Sequence, residues 1–290
     1  MDALKKGWFS ELHNLWPGQS MSLEVEEVLH AEKTQFQDIL IFQSKTYGRV
    51  LALDGVIQCT DRDECSYQEM MAHLPLCSHP NPSKVLVVGG GDGGVVREVA
   101  KHSCVEEIHL CEIDQRVVEL SKQYLPQLSC GFSDSRVAVH YQDGAEFMTQ
   151  HPSQFDVIIT DSSDPIGPAE CLFEQPYYEK MKKALRPGGV LCAQGECIWL
   201  DLELIQRVAQ HSRAMFPVVR FAFSSVPTYP CGTIGYLLAS TNEATVFESP
   251  VRVLSESQVE LMNLNFYNSD IHRASFALPQ FVKKVLQPTS

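Results

Sequence analysis

The segment Lys84-Val85-Leu86-Val87-Val88-Gly89-Gly90-Gly91-Asp92-Gly93-Gly94 limits what this chain can fold into more than any other stretch. An apolar run leads into five glycines, and helical periodicity resumes over 95–102. A buried strand that empties into a glycine-rich turn and then a helix is the opening unit of a parallel α/β sheet. Glycines there permit a tight turn and let backbone N–H groups approach a ligand at the helix N-terminus. Beyond this unit, strands are predicted over 85–88, 108–111, 137–141, 157–160, 190–193, 218–223 and 234–239. Helices are predicted over 115–124, 145–150, 176–185 and 202–215, and the alternation implies a parallel sheet covered on both faces. The connection 226–232 is too short for a helical crossover, so the last two strands are expected to be antiparallel. Residues 266–286 read as mostly helical with a break at Pro279.

Upstream of the glycine loop the pattern is β. Ser22-Leu23-Glu24-Val25-Glu26 alternates, 38–42 is a short strand, and Asp54-Gly55 between two apolar runs is a strong hairpin signal. A helix carrying Tyr67, Met70, Met71 and Leu74 follows, with Pro75 at its end. Turn-rich His79-Pro80-Asn81-Pro82-Ser83 comes next, and the expected division is an N-terminal β-domain over 1–75 and a second domain over 76–290.

Composition narrows the function classes. The formal net charge is −13 and no Lys/Arg-rich run occurs, which argues against a nucleic-acid partner. The longest apolar runs are strand-sized, which argues against a membrane span. The ten cysteines form no CxxC pair and no zinc-like Cys/His spacing. No apolar h-region follows Met1, so the expectation is a cytoplasmic chain with reduced thiols and no bound metal.

Three strand ends carry acids, and ligands bind at that end of open α/β sheets. Glu112 closes the second strand about 20 residues beyond the glycine loop, where an acid can hold both ribose hydroxyls. That spacing also fits a dinucleotide, but Asp92 stands inside the loop. A carboxylate about 4 Å from a pyrophosphate would cost about 4 kcal/mol at an effective dielectric of 20. The loop therefore suits a ligand that is neutral or positive there, such as a sulfonium nucleoside with an attached amine. The expected fold class is accordingly α/β, a Rossmann-like seven-stranded sheet of the S-adenosylmethionine-transferase type, preceded by a small N-terminal β-domain. Asp143-Gly144 ends the third strand, where this fold class places an acid on the adenine amino group. Asp161-Ser162-Ser163-Asp164 ends the fourth. Two carboxylates close together attract a cation and raise each other's pKa, which suits one of them to act as a base. Pro165, Gly167 and Pro168 suggest an ordered loop able to close over substrate. No nucleophilic triad, HExxH or P-loop pattern is present.

Val88–Gly94 with Arg97-Glu98, Cys111-Glu112-Ile113-Asp114, Asp143-Gly144 and Asp161-Ser162-Ser163-Asp164-Pro165 together closely resemble the spermidine synthase family. So do 53–58, Asp63-Glu64 with Tyr67-Gln68-Glu69, and Pro227-Thr228-Tyr229-Pro230. The similarity runs from about Trp8 to Leu286 and is strongest to animal forms. It implies an aminopropyl transfer from decarboxylated S-adenosylmethionine, a co-substrate and not a permanent cofactor, to putrescine. It also implies that Gln37, Gln58, Gln68, Asp92, Glu112, Asp143 and Gly144 bind the donor, with Gln58 and Gln68 lining a cleft shared with the acceptor. Tyr67, Asp161, Asp164 and Tyr229 would hold the diamine, and Asp161 would accept its proton. The family is typically dimeric, so a homodimer is expected.

The chemistry agrees with the resemblance. Putrescine is a dication at neutral pH, with amine pKa values near that of lysine, about 10.4. The site must take one proton and keep the far ammonium bound, and the sulfonium is itself the activated group, so the displacement requires no metal. Two other transferase readings share these residues: a putrescine N-methyltransferase, which Asp92 disfavours, and a spermine synthase. Spermine synthases of animals carry an extra N-terminal domain in the resemblance, whereas about 20 residues precede Ser22 here, too few for a domain. A catalytically silent polyamine-binding protein would be expected to lack Asp161 or the tyrosines.

Overall fold

The computed structural model describes residues 7–287; the outermost residues of both expected domains, 1–6 and 288–290, lie outside it. An antiparallel sheet comes first, with strands in chain order. These are β1 (Trp8–Ser10), β2 (Ser22–Lys33), β3 (Asp38–Ser44), β4 (Gly48–Leu53) and β5 (Val56–Thr60). Asp54 (φ 50°) and Gly55 (φ 81°) form the β4–β5 turn, with the two positive φ angles a tight hairpin needs. One face of this sheet buries Ile39, Ile41 and Leu51 against Val117, Leu120, Leu125 and Leu128 of the second sheet's helices.

Helix α1 (Glu64–Ser78) follows, and Pro75 does not end it. Proline removes one helical N–H, but Leu76 and Cys77 are fully buried and carry the helix one turn further. α1 is buried all round from Ser66 to Ser78, as a helix enclosed in a core must be. It packs against α2 (Gly94–Ala100) and the second sheet. The division expected at 75/76 falls inside α1, which packs with that sheet.

The second sheet is built from β6 (Lys84–Gly89), β7 (Glu107–Glu112), β8 (Val137–Tyr141), β9 (Phe155–Asp161), β10 (Leu185–Gln194), β11 (Val218–Ser225) and β12 (Thr233–Ser240). Their spatial order is β11-β12-β10-β9-β6-β7-β8. β8, β7, β6, β9 and β10 are mutually parallel, and β12 runs antiparallel to both β10 and β11, as the short 226–232 connection requires. The crossover helices are α3 (Gln115–Tyr124), continued by the single turn α4 (Pro126–Ser129), then α5 (Gly144–Gln150), α6 (Gln175–Ala184) and α7 (Leu202–Met215). Three short helices close the chain: α8 (Glu256–Leu261), α9 (Ser269–Ala274) and α10 (Gln280–Leu286). Leaving Cys171 aside, the cysteines are free thiols. Among the described residues no helix is long and apolar enough to cross a membrane.

The chain builds β6, β7 and β8 outward on one side, then returns to place β9 on the other side of β6. The crevice above this switch point is where an open α/β sheet binds its ligand.

Candidate active site

Register brings the glycine loop and the fourth-strand acid together. Gly89, the last residue of β6, stands beside Asp161, the last residue of β9, and the Gly90 N–H donates to the Asp161 carbonyl at 3.0 Å. A side chain at Gly90 would press its Cβ to 2.8 Å from Asp161 Oδ2, and one at Gly89 would collide with the Asp161 carbonyl. The glycines thus let a catalytic-type acid lie directly beneath the loop.

Asp161 is buried with divided surroundings. Oδ1 accepts a hydrogen bond from the Tyr67 hydroxyl at 2.7 Å, while Oδ2 is buried with no partner among the described residues. Burial, with the Asp92 charge adding to it, pushes its pKa up to about 8 against the hydrogen bond from Tyr67. The Tyr67 and Tyr229 rings lie 5.5 Å apart. Tyr229 is anchored through its hydroxyl, which donates to the Gln58 carbonyl at 2.6 Å.

Asp92 turns back onto its own helix, where Oδ1 accepts the Gly94 N–H at 2.6 Å. Gln68 Nε2 donates to both Asp92 oxygens, at 3.2 and 3.1 Å. Burial raises the Asp92 pKa. Glu112 accepts the Asp114 N–H at 2.9 Å, and burial carries it up to about 7. Asp143 caps α5 by accepting the Glu146 N–H at 3.0 Å, and Gly144 begins that helix. Gln37 donates to Asp114 at 3.1 Å.

One cleft gathers all but one of the residues singled out from the sequence: Gln37, Gln58, Tyr67, Asp92, Glu112, Asp143, Gly144, Asp161, Asp164 and Tyr229 all line it. Gln68 is the exception. It is 1% exposed and stands behind Asp92, because α1 packs edge-on to the glycine loop and brings the Gln68 amide against Gly94. Its effect on a ligand would pass through Asp92.

Further acids complete the cleft. Glu196 follows β10 in the left-handed region, at φ 60°, with Oε1 buried and without a partner among the described residues. Burial raises its pKa well above the ordinary range, and Asp164 and Asp201 raise it further. Burial lifts Asp164 and Asp201 each to about 6. Outside the cleft lining, burial also lifts Glu11, just after β1, to about 7. Eight acidic side chains line the cleft, and among the described residues no Lys, Arg or His does. Burial raises the pKa of six of these acids, and a cation entering the cleft would favour their ionised forms. The cleft is built for a cationic ligand.

A family model for the spermine/spermidine synthase domain matches residues 64–249, and one for the spermidine synthase tetramerisation domain matches residues 7–61. The chain belongs to the spermidine synthase family. It is 53% identical to the spermidine synthase of Schizosaccharomyces pombe, over 98% of this chain and 95% of that one. It is 52% identical to that of Dictyostelium discoideum, over 99% of both. A solved spermidine synthase in complex with the transition-state analogue AdoDATO superposes with a TM-score of 0.90 at 37% identity, covering 100% of this chain and 97% of that one. The spermidine synthase of Thermotoga maritima gives 0.88 at 38% identity, covering 97% and 94%.

Within this family member, sequence reasoning missed Glu196 and Asp201 in the cleft lining and the buried Glu11 outside it. Gln194-Gly195-Glu196 had a usable signal, since it ends a sheet strand on the ligand-binding edge. Glu11 had none. Its Oε1 accepts the Ile57 N–H at 2.7 Å from 46 residues away, a contact that only the folded N-terminal sheet creates.

Proposed function

We propose that the chain transfers an aminopropyl group from decarboxylated S-adenosylmethionine to putrescine, giving spermidine and methylthioadenosine, with Asp161 as proton acceptor. The observation that carries the reading is the Asp161 Oδ2, without a partner among the described residues, in a cleft lined there by eight acids and no Lys, Arg or His. Asp92 pairs with the donor's ammonium tail, Glu112 with the ribose hydroxyls, and Asp143 and Gly144 with the adenine. Gln37 and Gln58 line the donor's path, and Gln68 acts through Asp92. The four-carbon chain of the acceptor lies between Tyr67 and Tyr229, whose faces also attract the ammonium. The far ammonium sits among Asp164, Glu196 and Asp201.

Asp161 takes a proton from the near ammonium. The freed nitrogen lone pair attacks the methylene beside the sulfonium, and the carbon–sulfur pair passes to sulfur, leaving a neutral thioether. Much of the acceleration comes from aligning nitrogen, carbon and sulfur, since holding reactants in attack geometry can supply about 7–11 kcal/mol of the barrier.

The pH dependence follows. A raised carboxyl pKa means that Asp161 is protonated below it and basic above it. At subsaturating putrescine, where the rate reports the free enzyme, kcat/KM is expected to climb from pH 6 and level only above the Asp161 value of about 8. A profile flat across this range would contradict the assignment.

The N-terminal sheet serves self-association, and the assembly is a cytoplasmic homodimer. Sedimentation equilibrium is expected to return twice the 32.5 kDa chain mass. A fourfold mass would replace the dimer with a tetramer, and a single mass would remove self-association altogether.

A further inference from the structure

Asp63 stands at the N-cap of α1 but makes no side-chain hydrogen bond to that helix. An aspartate there ordinarily accepts an N–H of the first turn. Here both oxygens are turned elsewhere. Oδ1 accepts the Thr60 hydroxyl at 2.6 Å, at the end of β5. Oδ2 accepts both the Thr228 N–H at 2.9 Å and the Thr228 hydroxyl at 2.8 Å, from the β11–β12 connection. Thr60 and Thr228 are fully buried, Asp63 is 6% exposed, and among the described residues no cation pairs with it.

Three elements therefore meet at one carboxylate, and the two tyrosines of the acceptor slot hang from it. Tyr229 is the next residue after Thr228. Tyr67 is four residues after Asp63, one helical turn on and on the same face. The Asp63 carbonyl also accepts the Ser66 N–H at 3.1 Å and the Ser66 hydroxyl at 2.8 Å, which fixes the turn that presents Tyr67. The Tyr229 hydroxyl closes the loop on Gln58, two residues before Thr60.

We infer that Asp63 is a positioning residue that sets the spacing of Tyr67 and Tyr229, and through it the acceptor's place and the chain length the slot accepts. The inference rests on the reading that a diamine lies between those tyrosines. Asp63 touches neither substrate; it acts through Thr228 and α1. Charge-assisted bonds to neutral donors inside a low-dielectric corner are short and stiff, so the slot width is held independently of the donor side.

The test uses the full-length protein with Asp63→Ala, Thr228→Val and Thr228→Ser. Thr228→Val keeps shape and the backbone N–H but loses one donor; Thr228→Ser restores it. KM and kcat for putrescine and cadaverine are measured, with calorimetric affinity for methylthioadenosine as the donor-side control. Misplacement on the ångström scale has large kinetic effects, so Asp63→Ala is expected to raise acceptor KM about tenfold or more. One methylene is ordinarily discriminated about 10- to 200-fold, and the putrescine-over-cadaverine ratio is expected to shrink several-fold. Methylthioadenosine affinity is expected to stay within about twofold, Thr228→Val to fall between, and Thr228→Ser to match wild type. Should Asp63→Ala not fold, Thr228→Val alone decides. An unchanged acceptor KM and chain-length ratio in Thr228→Val overturns the inference. So does a parallel loss of donor-product affinity, which marks general destabilisation. Wild-type protein that forms no spermidine would instead sink the proposed function.

Discussion

Asp161→Asn is expected to lower kcat about 10²- to 10⁴-fold, the usual range for loss of a general base, with methylthioadenosine affinity changed by less than about twofold. The substitution is nearly isosteric. The amide oxygen can still accept the Tyr67 hydroxyl now at 2.7 Å from Oδ1, so the cleft keeps its shape there. What disappears is the oxygen that has no partner among the described residues. That oxygen is positioned by Gly90, whose missing Cβ leaves it room, and its basicity is tuned by burial and by the Asp92 charge toward a pKa of about 8. Steady-state kinetics with calorimetry separates the two effects. A variant that keeps more than about half the wild-type kcat at neutral pH would show that the proton goes elsewhere.

The second large effect concerns the donor. Decarboxylated S-adenosylmethionine ends in an ammonium where ordinary S-adenosylmethionine also carries a carboxylate. Asp92 is buried at the head of α2, held by Gly94 and Gln68, so it can neither swing away nor be screened by water. Two like charges about 4 Å apart repel by about 4 kcal/mol at an effective dielectric of 20. Because burial also raises the Asp92 pKa, proton uptake offers a partial escape, and discrimination of about 10²- to 10³-fold is expected. Asp92→Asn keeps an oxygen for the Gly94 N–H and removes the charge. It is expected to weaken the decarboxylated donor and narrow the gap between the two donors at least about tenfold. Titration of both donors into wild type and variant reads the gap directly, and an unchanged gap removes Asp92 from this role.

Most of the second sheet was legible because its strands are buried on both faces and therefore read as short apolar runs bounded by helices. The acids at their ends were legible because the same topology fixes which strand ends face the crevice. The N-terminal sheet was less so. β2 continues to Lys33, seven residues beyond the alternating stretch that ends at Glu26. Register shifts between Val25 and Glu27 and between Val28 and His30 break the alternation that marks a strand. α1 was ended too early because Pro75 was weighed without the burial of the turn after it. Glu11, Glu196 and Asp63 share another reason for being overlooked or left without a role. Each acts through partners far away in sequence, Ile57, Asp164 and Thr228, and no local pattern encodes a contact of that kind. Gln68 shows the reverse. Its sequence position suggested the cleft wall, while packing placed it one layer behind.

Product identification tests the central claim most directly. The protein is incubated with decarboxylated or ordinary S-adenosylmethionine, each with putrescine, cadaverine or spermidine, and the products are resolved by mass spectrometry. The expected result is spermidine and methylthioadenosine in equal amounts from the decarboxylated donor with putrescine, and much less product from every other pairing. Methylated putrescine from the ordinary donor, or spermine as the main product, would contradict the account.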